Sequence, residues 1–146
     1  MIKATILVEE LNNKKYDELL NDIYADTNLL DYQRERYVKA INKYVSLYGD
    51  TDVEIYSAPG RSEVGGNHTD HQHGEVLAAA INLDIIAVVA PTKETIKVLS
   101  DDYDIQGVNI KDLEKRDQEV ESSEGLIRGV CARYQQLGYK IGGFNA

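Results

Sequence analysis

Apolar residues recur at helical spacing through the first third of the chain and gather into short strand-like runs after it. Leu30, Tyr37, Val38, Ile41, Tyr44, Val45 and Tyr48 fall on one stripe with Arg34, Lys39 and Lys43 between them, which predicts an amphipathic helix closed by Gly49. Tyr16, Leu19, Leu20, Ile23 and Tyr24 make a shorter stripe, started from Asn12 or Asn13, and the two helices are expected to pack as a hairpin. Asp52 to Ala58 alternates, Val53, Ile55 and Ser57 against Glu54 and Tyr56, as a half-buried strand does, with Pro59 and Gly60 ending it. Val76 to Ala90 is rich in Val, Ile and Ala and reads as one long or two consecutive strands covered on both faces, bent at Asn82 and Asp84. A short strand is expected at Thr95 to Leu99, then an acidic turn at Asp101, Asp102 and Asp104. A last helix spans about Ser123 to Leu137, with Leu126, Ile127, Val130, Tyr134 and Leu137 inward and Gly138 stopping it. The pattern is that of an α+β chain, helical in its first third.

Composition narrows the function classes. The chain has 146 residues, enough for one domain with a core, and its 42% hydrophobic and 28% charged residues are those of a globular protein. Sixteen Lys and Arg against 25 Asp and Glu leave a net charge of −9, which argues against nucleic acid and anionic membrane as partners. The single cysteine, Cys131, has no intramolecular partner for a disulfide, and a reducing, cytoplasmic setting fits it. It reads as a small core residue without a redox role. The apolar stretch Ala4 to Val8 is shorter than an export-signal core and runs straight into Glu9 and Glu10. No stretch reaches the length of a membrane span. The ten tyrosines largely follow the helical stripes and read as half-buried packing.

The candidate chemistry lies between Ala58 and Ile81, APGRSEVGGNHTDHQHGEVLAAAI. Gly65, Gly66 and Gly74 permit close backbone approach, while Arg61, Glu63, Asn67, His68, Asp70, His71 and His73 crowd polar groups into a short loop. Such a mixture suits a polyhydroxylated ligand: a carboxylate accepts from adjacent hydroxyls, an imidazole donates or accepts, and an amide does both. Arg61 adds fixed positive charge of use to a phosphoryl group in transfer. The spacing His68-x-Asp70-His71-x-His73 also has the ingredients of a zinc site, but all three histidines of the chain lie in this one loop and a catalytic zinc usually draws a ligand from elsewhere. Glu63 has a plain role as an ion-pair partner of Arg61, and His73 one as a solvated side chain. The acidic turn at Asp101 to Asp104 is better read as a charged turn than as a cation site.

The segment resembles the galactokinase signature of the GHMP sugar kinases, through Pro59, Gly60, Arg61, Gly66, the His68-Thr69-Asp70 triplet, Gly74, Val76, Leu77, Ala80 and Ile81. The likeness extends more weakly to the helices before it, which resemble that family's N-terminal extension, and to Gly142 to Phe144, which resemble the approach to its phosphate loop. It implies a helical extension over residues 1–50 and the start of a sugar-binding domain over 51–146. By resemblance, Arg61 is the catalytic residue, beside the reacting hydroxyl, and Arg61, Asn67, His68, Asp70 and His71 are substrate-binding, with Asp70 the main anchor for D-galactose. Asn67 stands where the family usually has glutamate, Glu63 where it usually has asparagine, and His71 in a slot that is commonly tyrosine. The family's serine-rich phosphate loop and its proposed base do not occur in the 146 residues, so ATP and Mg2+ are expected to serve the intact enzyme through residues outside this chain. The expectation is therefore the N-terminal portion of a galactokinase, inactive alone, whose natural polypeptide continues and whose uncovered apolar surface favours self-association. The alternatives are a kinase for N-acetylgalactosamine or arabinose, and a galactose sensor without turnover.

Overall fold

A computed structural model describes residues 1–66, 69–100 and 103–146, except for the side chains of residues 70 and 103–106. The chain is a mixed α+β structure in two compact units, one of Ile2–Asp50 with Ile55–Val88, the other of Met1, Thr51–Glu54 and Val89–Ala146.

The first unit holds three helices. A two-residue strand, β1 (Ile2–Lys3), leads into α1 (Ala4–Asn12), which turns Ala4, Leu7 and Leu11 inward at helical spacing. Asp50 satisfies its first turn from a distance, its two carboxylate oxygens accepting from Thr5 N at 3.1 Å and Thr5 Oγ1 at 3.0 Å. This helix was not predicted, because Thr5, Ile6 and Val8 fill out an apolar run that hides the inward-facing set. The next helix, α2 (Asp17–Tyr24), starts several residues after Asn12 and Asn13 and has Asp17 and Glu18 in its first turn, where the helix dipole favours them. The stripe ending at Gly49 forms α3 (Leu30–Tyr48), as its spacing predicts. Its principal helical partner is α1 rather than α2, so the expected hairpin is corrected to a three-helix group with Ile41 at 0% exposure in its middle. An ion pair from Arg34 NH1 to Asp17 Oδ1 at 2.6 Å ties α3 to α2.

The long strands β2 (Asp52–Gly65) and β3 (Leu77–Thr92) form a ribbon, of which residues 55–65 and 77–88 belong to this unit. Pro59 and Gly60 therefore do not end the strand. A proline costs a ladder only one donor and is tolerated where a strand has a neighbour on one side, and Gly60 lets β3 come close. A Cβ on Gly60 would lie 3.1 Å from Leu83 O and 3.2 Å from the Ile81 side chain. Nor is the outer part of β3 covered on both faces: Leu77, Leu83 and Ile85 are exposed.

In the second unit β6 (Gly143–Asn145) lies between the end of β3 and β4 (Thr95–Ser100), with β5 (Tyr103–Asn109) outside β4. The sheet is mixed. Pro91 pairs with Phe144 antiparallel, Ile96 with Phe144 parallel, and Thr95 with Asn109 antiparallel. Val53, Ile96 and Val108 are its most deeply buried side chains. The strand β5 was missed, since the acidic residues before it read only as a turn; Asp101 and Asp102 lie outside the described residues, as does the Asp104 side chain.

The last helix, α4 (Ser123–Gln136), is capped by Ser122, whose Oγ accepts from Gly125 N at 3.0 Å. Its inward face is not the predicted one. Leu126, Val130, Tyr134 and Leu137 are exposed, whereas Arg128 is buried. The Arg128 guanidinium donates from Nε to Glu119 Oε2 at 2.6 Å, from NH2 to Glu119 Oε1 at 2.8 Å, and from NH1 to Asp112 O. That bidentate pair sets the helix's rotation. Cys131 is half-buried, and burial raises its thiol pKa.

Candidate functional site

Of the residues singled out from sequence, Arg61 and Glu63 lie on the outer part of β2, and His71 and His73 in the segment that joins it to β3. Ser57 Oγ donates to Asp84 Oδ2 at 2.6 Å, which places Ser57 and Asp84 on one face. Gly60 approaches Ile81 on the other. Strand alternation then puts Arg61 and Glu63 on the Ser57 and Asp84 face, with Val64, Ile81, Leu83 and Ile85 on the opposite one. Arg61 is exposed on β2.

The loop between β2 and β3 has a built geometry. Gly66 turns the chain at φ 107°, a conformation L side chains rarely adopt, and a Cβ there would stand 2.5 Å from Glu75 O. Thr69 Oγ1 donates to Gly66 O at 2.9 Å, while Thr69 O accepts from Gln72 N at 2.9 Å and Gly74 N at 2.8 Å. These bonds close a single helical turn at Asp70–Gln72. His71 is on that turn and exposed, and His73 follows at φ 62°. Of the predicted substrate-binding residues, Asn67 and His68 lie outside the described residues, and for Asp70 only the backbone is described. Among the described residues no group of three or more His, Cys, Asp or Glu is placed to hold a metal ion. No helix among them is long and apolar enough to cross a membrane.

At the base of the ribbon stands a polar cluster that the sequence reading missed. The Asp84 carboxylate, 3% exposed, accepts from Tyr24 OH at 2.8 Å, from Ser57 Oγ, and from Arg36 NH1 at 2.5 Å. Arg36 NH2 also donates to Asp84 O at 2.7 Å, and NH1 reaches Gln33 Oε1 at 3.2 Å. Tyr24 OH and Tyr37 OH are 2.9 Å apart, their rings edge to face. Burial disfavours the Asp84 charge, but bonds from Ser57, Arg36 and Tyr24 outweigh it and lower the pKa. Burial, with the bonds to Tyr37 and Asp84, raises the Tyr24 phenol well above its ordinary value. The signal was present: an aspartate inside a Val- and Ile-rich strand needs partners if it is not to bury a bare charge.

A cleft of about 570 Å3 lies elsewhere, between α4 and the segment before it, lined by Leu113, Val120, Leu126, Arg128 and Gln136. None of the signature residues borders it. Ser122, which lines it, caps α4 by accepting from Gly125 N and donates its own hydroxyl to Glu119 O at 2.8 Å.

A sequence profile described as the galactokinase galactose-binding signature matches residues 42–91, which include α3's last turns, the ribbon and its loop. Galactokinase of Lactococcus lactis subsp. lactis is 29% identical over 104 residues, covering 68% of this chain and 26% of that protein. Galactokinase of Limosilactobacillus reuteri is 27% identical over 111 residues, 70% of this chain and 28% of that one. A crystal structure of L. lactis galactokinase complexed with galactose superposes with a TM-score of 0.60 at 27% identity, covering 71% of this chain and 28% of that chain. The chain thus spans about a quarter of the length of the relatives it matches.

Proposed function

We propose, from the premise that this chain carries the galactokinase galactose-binding signature and is related to the N-terminal portion of those enzymes, that it is the sugar-binding part of a galactokinase. The observation that carries the reading is the match of residues 42–91 to the galactose-binding signature, supported by the likeness to a galactokinase whose structure holds galactose. In this reading residues 1–50 are the helical extension and 51–146 begin the sugar-binding domain. Asp70 anchors the sugar by accepting from adjacent hydroxyls, His68 and Asn67 bond further hydroxyls, and His71 closes the site from the turn that follows. Arg61 stands at the anomeric hydroxyl and steadies negative charge there.

The intact enzyme then transfers the γ-phosphoryl group of ATP to D-galactose, giving galactose 1-phosphate in the cytoplasm, with Mg2+ as the companion ion. This chain supplies sugar binding and orientation, and the family's serine-rich phosphate loop does not occur in its 146 residues. It is therefore inactive alone. Asn67, an amide where the family usually has a carboxylate, favours a second reading as a kinase for a related sugar such as N-acetylgalactosamine or arabinose. A galactose sensor is the remaining alternative. The deciding experiment is sugar-dependent ATP consumption by the intact polypeptide that contains this segment. Turnover with D-galactose, lost in Arg61→Ala, supports the kinase; turnover with another sugar moves the substrate; galactose binding without turnover makes it a sensor.

A further inference from the structure

The β2/β3 ribbon is bonded to the helices at one level and solvent-exposed beyond it. Residues 77–83 are all exposed, as are 61–65, whereas Asp84 is the outermost ribbon residue with a protected side chain. At that level β3 meets the helices and ties β2 in: Asp84 of β3 accepts from Tyr24 of α2 and Arg36 of α3, and from Ser57 of β2. Replacing a buried ion pair by apolar side chains of similar volume is often neutral for stability, so such a cluster is poorly explained as a source of stability alone. What it does offer is a single geometry. Its donors are all satisfied only when the ribbon leaves the helices at one angle, and no unpaired buried side-chain polar atom is found among the described residues.

We propose that Asp84 is a positioning residue for the sugar site, clamping the base of the ribbon onto α2 and α3 so that Arg61 and the loop after it stand in one place. The inference rests on the sugar-site reading for what is positioned, but the clamp itself rests on geometry. From Asp84 to Leu77 is seven residues of strand, 84 − 77, or about 23 Å. An angular play of about 5° at the clamp moves the far end by about 2 Å, and a misplacement of about 1 Å can cost a site on the order of a hundredfold. Asp84 touches no sugar in this account; it acts through the ribbon.

The test compares the wild-type chain with Asp84→Asn and Arg36→Gln, which break the pair from either side. D-galactose titration gives Kd and the fraction of competent sites, and amide hydrogen exchange follows residues 58–65 and 77–83. The clamp predicts a Kd about tenfold weaker at unchanged stoichiometry, with faster exchange in the ribbon and unchanged exchange at Leu7, Leu11 and Ile41. Reduced stoichiometry at wild-type Kd would overturn it, since that is the mark of partial unfolding alone. Wild-type exchange in the ribbons of both variants would overturn it too. Should the wild-type chain bind no galactose while the variants' ribbons exchange faster, the sugar-site reading fails and the clamp stands.

Discussion

Two neighbouring glycines in the candidate loop carry opposite demands. Gly66, at φ 107°, would place a Cβ 2.5 Å from Glu75 O and 2.7 Å from Val76 Cα, both backbone atoms that no rotamer change can move. Gly65 has no atom within 4 Å of its would-be Cβ and no positive φ. Gly66→Ala therefore takes on about 1–2 kcal/mol for a conformation hostile to L residues, and the backbone clash brings the total to about 2–3 kcal/mol. Gly65→Ala gains about 0.5 kcal/mol by restricting the unfolded chain. For a chain of this size the first change lowers the melting temperature by about 8 °C and the second raises it by a degree or two. Calorimetric melting of both variants measures the difference, and galactose titration of Gly66→Ala is expected to show weakened binding because the loop backbone shifts. Equal melting shifts for the two, or an unperturbed Gly66→Ala, would refute the loop geometry.

The Asp84 cluster makes stability acid-sensitive. Its folded-state pKa lies below the unfolded carboxylate value, so its contribution is full above that value and is lost as pH falls through the folded one. Asp84→Asn should accordingly flatten the acid limb of a stability-against-pH curve, mostly below about pH 4, as urea unfolding at several pH values would reveal; an unchanged acid limb contradicts the ion pair. Exposed Leu77, Leu83 and Ile85 on the ribbon, with Leu126, Val130 and Tyr134 on α4, should make the chain self-associate as concentration rises. Sedimentation velocity over a wide concentration range tests this, and a strictly monomeric chain refutes it.

The helix α3 was legible to its last residue because a long stripe and a terminal glycine agree with its packing. Strand β4 was legible for a similar reason, a short β-branched run between turn residues. Burial was read less well where polar side chains make the inward contacts. Arg128 sets the rotation of α4, and its inward position follows from Glu119 and Asp112 rather than from any apolar pattern. Likewise Asp84 reads as a bend until Tyr24 and Arg36, distant in sequence, are seen beside it. Pro59 looked like a strand end because local propensity knows nothing of a ribbon with an open side. The signature segment was legible as a family likeness from residue types and spacing, and the profile match over residues 42–91 covers it.

Whether residues 58–81 form a galactose site is decided by calorimetric titration of this chain with D-galactose, D-glucose and N-acetylgalactosamine, repeated on Asp70→Ala. A galactose site there gives saturable one-to-one binding of D-galactose, weaker or absent binding of D-glucose, and loss of the galactose signal in Asp70→Ala. No saturable binding of any of the three, or binding of D-galactose that survives Asp70→Ala unchanged, would contradict it.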